Sequence, residues 1–221
     1  MVGQIHPLRP VPLRRKFIAS RTVLALVLRE MATTYGRSPG GYIWAVLEPC
    51  LGIILLTAIF STAFDAPPLG DSFPIFYASG LVPFTVFVAL NSKIGTALVF
   101  SKPFLAYPSV TFIDVLLARF LINAITQIMV AYLIFGVVVM SYDGQTVLNH
   151  PHIILAVVLA MGLALGVGTV NCFLILRFPV WHQIWAILNR PLFLVSCVFF
   201  TFESIPSPYQ SLLWYILVKV L

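Results

Sequence analysis

The chain has 221 residues, 60% of them hydrophobic and only 9% charged, with a mean hydropathy of +1.02. A soluble globular domain of this composition would have nowhere to bury its apolar surface and is excluded. The net charge of +6 gathers mostly ahead of Pro39, which marks a topology and lipid-headgroup signal and gives no reason to expect a nucleic-acid partner.

Residues 1–41 form a basic leader, expected in the cytoplasm, that carries Arg9, Arg14, Arg15, Lys16, Arg21, Arg29 and Arg37. It offers no long apolar core followed by a small-residue cleavage site, so no cleavable signal peptide is expected. Phe17, Leu24, Val27, Leu28, Met31 and Tyr35 recur at helical spacing, with Arg21, Ala25 and Arg29 on another face. A basic amphipathic helix of this kind is too short and too charged to span, and it gains from lying in the membrane interface among anionic headgroups. Packing on a partner protein is compatible with the same pattern. Gly36, Pro39, Gly40 and Gly41 break the helix, and Tyr42 and Trp44 follow as aromatic residues suited to headgroup depth.

Residues 42–221 read as one all-α, polytopic membrane domain. Apolar stretches at 43–63, 75–90, 115–140, 153–176 and 184–200 each approach the roughly 20 residues that a helix needs to cross hydrocarbon. The second is short and is expected to extend into its flanks. Cations mark alternate connections: the leader, the loop with Lys93 and Lys102 together with Arg119 just inside the third span, and the connection with Arg177 and Arg190. The segments with Asp65 and Asp71, with Asp143, and with Glu203 contain no Lys or Arg. Positive charge collects on the cytoplasmic side, so the chain is multi-pass with its N-terminus inside.

The inner loop at 91–113 is long enough for a short helix with its body at 93–100 and its limits at Pro103 and Pro108, though a plain solvated loop fits equally. In the third span Arg119, Asn123 and Gln127 fall at i, i+4 and i+8 on one stripe. Either this stripe lines a conduit for a polar substrate, or Asn123 and Gln127 bond across to neighbouring helices while Arg119 snorkels to the inner surface. Glu48, beside Pro49 and one turn into the first span, is expected to lie shallow near the inner headgroups. Gly162 and Gly166 make a small-x3-small pattern that marks a packing face. Cys50, Cys172 and Cys197 are small packing residues without disulfide or metal spacing, and His150 and His152 lack a third ligand.

Catalytic signatures are missing. There is no G-x4-G-K-[ST] phosphate loop, no H-E-x2-H and no carboxylate pair in a pocket, and only seven acidic residues in all. ATP hydrolysis and general acid/base catalysis on this chain are not expected. Ion-driven transport lacks an acidic group deep in a span.

Three stretches carry a resemblance to a known family. LRE at 28–30 with TYGRSPGGYIWAVLEP at 34–49 resembles its approach to the first span, and SFPIFYASGLVPF at 72–84 the start of its second. PLFLVSC at 191–197, with SIP at 204–206 and LLWY at 212–215, resembles its fifth span and the outer segment beyond. The family is that of ABC-2 type polysaccharide exporter permeases, and within it the capsule polysaccharide export permeases of Gram-negative bacteria. The resemblance implies an inner-membrane homodimer of six-span subunits with a conduit between protomers and a lipid-linked polysaccharide as substrate. It also implies separate ATPase subunits on the cytoplasmic side, which would hold ATP and Mg and leave this chain without a cofactor.

On that resemblance Lys93, Phe100 and Lys102 belong to a candidate ATPase-coupling loop, and Arg119, Asn123 and Gln127 are candidates to line the conduit. Arg29, Arg37, Tyr42, Trp44 and Glu48 form the candidate interface helix and the lead-in to the first span. The end of the chain departs from the family: after LLWY it reads ILVKVL, where the family continues into a sixth span. A shortened sixth helix or an inactive, truncated permease is expected from this. An ABC-2 permease for another cargo such as O-antigen, teichoic acid or a drug, and a membrane-embedded glycosyl- or acyltransferase, are the alternatives.

Overall fold

The computed structural model describes residues 18–34, 41–70, 72–107, 110–141 and 149–196. Among these every regular element is a helix: α1 (Ile18–Thr34), α2 (Gly41–Ala63), α3 (Phe73–Gly95), α4 (Ala97–Phe100), α5 (Phe112–Ser141), α6 (His150–Arg177) and α7 (Trp181–Val195). Arg37, Asp71, Asp143, Cys197, Glu203 and the expected sixth-helix remnant lie outside the described residues.

Four helices, α2, α3, α5 and α6, are long and apolar enough to cross a membrane. The short second stretch does extend into its flanks, for α3 has 23 residues. The fifth predicted span is not matched by a crossing helix among the described residues. It begins in α7, whose 15 residues fall short of the roughly 20 that a crossing requires, and its continuation past 196 lies outside the described residues.

α3 is the centre of the bundle and packs against α2, α5 and α6, while α1 packs on α5 and α7 on α6. Some 44% of the apolar stretch of α3 is buried, against 17% of that of α2, so α3 is the inner helix and α2 an outer one. Ala78, Val82, Val86, Leu90 and Ile94 recur at every fourth position and form one fully buried ridge, the i±4 row by which helices interlock. Val115, Ala124, Val130 and Ile134 of α5, with Ala164 and Cys172 of α6, close over it. The opposite faces carry exposed Leu51, Ile54 and Leu55 on α2 and Leu121, Ile125 and Ile128 on α5, a continuous apolar surface that water would penalise and lipid does not.

The small-residue contact falls two residues past Gly166, outside the Gly162 and Gly166 spacing. Apart from the adjoining residues and backbone of α6 itself, no atom lies within 4 Å of a Cβ built at Gly162 or Gly166, whereas a Cβ at Gly168 would stand 2.9 Å from Ile94 Cβ and 3.4 Å from Asn91 Cα. Gly168 therefore makes the close approach of α6 to α3, and Gly162 and Gly166 do not.

The connection between α3 and α5 also differs from the expected single helix at 93–100. Residues 93–95 complete α3, Thr96 takes φ −98° and ψ 5°, and α4 is one four-residue turn. Thr96 Oγ1 donates to the Ser92 carbonyl at 3.1 Å, a side-chain bond that competes with helix continuation. Beyond α4 the Ser101 carbonyl accepts from the Phe104 amide at 2.9 Å and the Leu105 amide at 3.3 Å, folding 101–107 into turns. α5 then opens on a capping box: Asp114 Oδ2 accepts from the Thr111 amide at 3.0 Å and from its hydroxyl at 2.8 Å, and the Asp114 amide donates to Thr111 Oγ1 at 3.3 Å. That T-x-x-D pattern satisfies donors the helix leaves open at its start.

α1 uses two faces where the sequence suggested one apolar side. Leu26 packs towards the core and Glu30 is buried, while Leu24 and Leu28 are each 59% exposed. The covered face meets α5, and the stripe of Leu24, Leu28 and Met31 points away from the bundle.

Candidate functional site

The polar chemistry of the bundle concentrates at the end where α3 finishes and α5 begins. Arg119 stands in the second turn of α5, and a guanidinium buried there is tolerable only when every side of it is matched. Its Nε donates to Glu30 Oε1 on α1 at 3.0 Å, in an ion pair whose side chains are only 8% and 5% exposed. Its Nη1 donates to the Lys93 carbonyl at 3.1 Å and to Thr96 Oγ1 at 3.2 Å. The Lys93 carbonyl belongs to the last turn of α3, where carbonyls lack helical partners and the helix dipole attracts a cation.

The face of the same guanidinium meets an aromatic ring. Arg119 Cζ lies 4.3 Å from the centroid of Phe100, and Arg29 Cζ lies 5.1 Å from Phe100 and 3.8 Å from Phe104. These distances are within cation–π range. One planar fork thus gathers α1, the end of α3, α4 and α5, using the donor geometry that a lysine ammonium does not offer.

A second polar cluster lies beside it. Asn171 Nδ2 on α6 donates to Asn91 Oδ1 on α3 at 3.1 Å, and Trp181 Nε1 on α7 donates to Asn171 Oδ1 at 2.9 Å. Asn171 bridges three helices in this way, because its amide both gives and accepts. Above it, Gly162, Gly166, Val170, Trp181 and Trp185 line a groove of about 500 Å³ between α6 and α7.

The structure brings some of the sequence candidates together and separates others. Arg119 joins Phe100 and the Lys93 backbone in one cluster, together with Arg29 from the leader. It does not snorkel, since its charge is met inside the protein. Asn123 is buried and donates to the Arg119 carbonyl of its own helix at 2.8 Å, and among the described residues it makes no bond across to a neighbour; Gln127 is half-buried. Lys102 is exposed on the turns after α4. Trp44 and Glu48 are exposed on α2, and Tyr42 lies in the first turn of that helix.

Glu30, Thr96, Asn91, Asn171 and Trp181 were not singled out from the sequence. Glu30 had a readable signal, as the sole acidic residue ahead of the first span. For the others, spacing within one helix says nothing about which neighbour the side chain meets.

No family model matches the chain. The chain is 33% identical over 200 residues, covering 90% of it and 78% of the relative, to the polysialic acid transport protein KpsM of Escherichia coli. It is 25% identical over 205 residues to the capsule polysaccharide export inner-membrane protein BexB of Haemophilus influenzae, covering 90% of the chain and 75% of the relative. To the protein of that same description named CtrC in Neisseria meningitidis serogroup B it is 25% identical over 197 residues, covering 88% and 73%.

Proposed function

The chain belongs to the family of capsule polysaccharide export inner-membrane proteins, and from that premise we propose that it is the permease subunit of an ATP-driven exporter that carries a capsular polysaccharide across the bacterial inner membrane. The observation that carries this is the match along 90% of the chain, together with four helices able to cross a membrane. The permease holds no phosphate-binding loop, so ATP would be bound and hydrolysed by a separate subunit, with the Mg ion that accompanies it.

The charge distribution supports a cytoplasmic N-terminus. Arg29, Lys93, Lys102, Arg119 and Arg177 belong to the elements at one end of the bundle, and Asp65 follows α2 at the other; cations collect on the inner side. On this orientation α4 and the turns after it face the cytoplasm. They present exposed Val99, Phe100, Lys102 and Tyr107, an apolar and cationic surface on which an ATPase subunit would dock. The uncovered face of α2, with Ile43, Trp44, Leu47, Leu51 and Ile54, is where a second protomer would close a conduit. Gln127 remains a candidate to line it, whereas Arg119 and Asn123 are held inside the protomer by the bonds described above.

The test is complementation. A capsulated strain deleted for its own permease receives this chain with the ATPase encoded beside it, and polysaccharide is assayed on intact cells and in the cytoplasm. Restored surface polysaccharide is expected. Polysaccharide retained in the cytoplasm, with the chain present in the membrane and bound to its ATPase, would remove the proposal.

A further inference from the structure

We propose that Glu30 and Arg119 are positioning residues of the transport cycle, a clamp that holds the turn segment 96–107 against α1 so that the two move as one body. The proposal rests on the assignment of that segment as the surface where the ATPase docks. Three observations carry it. The pair is buried and spans 89 residues of sequence, so it joins elements that are not chain neighbours. The same guanidinium takes the Lys93 carbonyl and the Thr96 hydroxyl, which fixes the point where the chain leaves α3. The ring of Phe100 is met by Arg119 from α5 and by Arg29 from α1, and Phe104 by Arg29 as well.

Ala97 and Leu98 seat the inner side of the turn segment in the core and Ser101 is buried, while its outer side is open. α4 is a single turn, and Val99, Lys102 and Tyr107 are exposed. A force applied to this surface reaches the bundle through that buried side, and it reaches α1 through the ion pair and the two Arg29 cation–π contacts. Glu30 and Arg29, adjacent on α1, act on the segment through two different contacts. α1 is therefore coupled to it by charge, while Leu24 and Leu28 stay free on the other face.

The experiment compares the full chain with Glu30→Gln and Arg119→Lys variants. Glu30→Gln keeps the shape and loses the charge; Arg119→Lys keeps the charge and loses the fork. Hydrogen exchange of the purified protein in detergent is followed over 96–107 and, as an internal control, over 122–134 of α5. Exchange over 96–107 is expected to quicken roughly tenfold in both variants while the α5 control holds, because local opening reports local stability. The second readout is polysaccharide exported per ATP hydrolysed in proteoliposomes containing the ATPase complex. It is expected to fall about fivefold or more at unchanged complex yield, a ratio that simple loss of folded protein leaves unaltered. Unchanged exchange in both variants overturns the clamp, and so does an unchanged export-to-hydrolysis ratio in both. A wild-type complex that hydrolyses ATP without export overturns the proposed function instead, and the exchange measurement still decides the clamp.

Discussion

Gly168 of α6 and Ile94 of α3 meet so closely that a Cβ on the glycine would stand 2.9 Å from Ile94 Cβ and 3.0 Å from its Cγ2. The contact sits on the buried ridge of α3, and Asn91 Cα lies 3.4 Å from the same point, so there is no flexible side-chain end to give way. Gly168→Ala should force the two helices apart and cost about 1–3 kcal/mol, the range for overpacking a close-packed interior. Gly162→Ala and Gly166→Ala meet nothing within 4 Å apart from the adjoining residues and backbone of α6 itself and should leave stability unchanged or raise it slightly through better helix propensity. Thermal unfolding of the three variants in detergent checks the contrast, and equal midpoints would refute it.

The Asn91, Asn171 and Trp181 cluster makes a graded prediction. Asn171 holds two interhelical bonds, to Asn91 and from Trp181, whereas Asn91 Nδ2 is buried without a partner among the described residues. Replacing Asn171 by Leu strands the Asn91 amide and the Trp181 indole together, while Asn91→Leu removes one unsatisfied group along with one bond. Interhelical hydrogen bonds in membrane proteins are worth about 0.6–2 kcal/mol each. Asn171→Leu is therefore expected to be the more destabilising of the two by at least one such bond. Unfolding midpoints of both variants and of the double variant measure it, with non-additivity expected because the pair is in contact.

The sequence made the spans legible and left the partners of their polar residues hidden, for a physical reason. Hydropathy over 43–63 and the long runs that became α5 and α6 report the cost of exposing apolar side chains to water, a property of each segment alone. Arg119, Asn123 and Gln127 share a stripe by spacing, yet Arg119 turns to α1, Asn123 bonds back to its own helix and Gln127 is half-buried. Which neighbour lies opposite a stripe is decided by packing between segments, and Glu30 is 89 residues away. The helical segment at 93–100 is broken at Thr96 for a similar reason: Thr96 and the Arg119 cap end α3 through contacts that local propensity does not contain. Gly168 could not be preferred to Gly162 or Gly166 until Ile94 was placed.

The exposed stripe of α1 should lie in the membrane interface. Leu24, Leu28 and Met31 point away from α5, and a helix with an apolar face beside cations settles about 5–10 Å into the headgroup and acyl boundary. Leu28→Trp supplies a fluorophore at that face. Quenching by brominated lipids, against the native tryptophans as baseline, should place the added emission at the boundary. Quenching only by an aqueous quencher would mean that the stripe faces water or another protein. Leu24→Glu with Leu28→Glu should leave the bundle folded, since neither side chain packs in it, and should lower surface polysaccharide.

The proposed orientation of the bundle, with the cation-bearing end in the cytoplasm, can be tested directly. Asp65 follows α2 and is exposed, and Lys102 is exposed on the turns between α4 and α5; α3, long and apolar enough to cross a membrane, separates the two along the chain, so the proposed topology puts them on opposite sides. The assay uses a Cys197→Ser background, in which Cys50 is a part-buried residue of α2 and Cys172 is buried, beyond the reach of a membrane-impermeant reagent. An impermeant maleimide added to spheroplasts should label Asp65→Cys and spare Lys102→Cys, and inverted vesicles should give the reverse. Lys and Arg near the ends of spans set this polarity while acidic residues contribute little, so Asp65→Cys does not itself disturb the topology. The reverse labelling pattern would put α4 outside, away from any ATPase, and would refute both the orientation and the docking surface that depends on it.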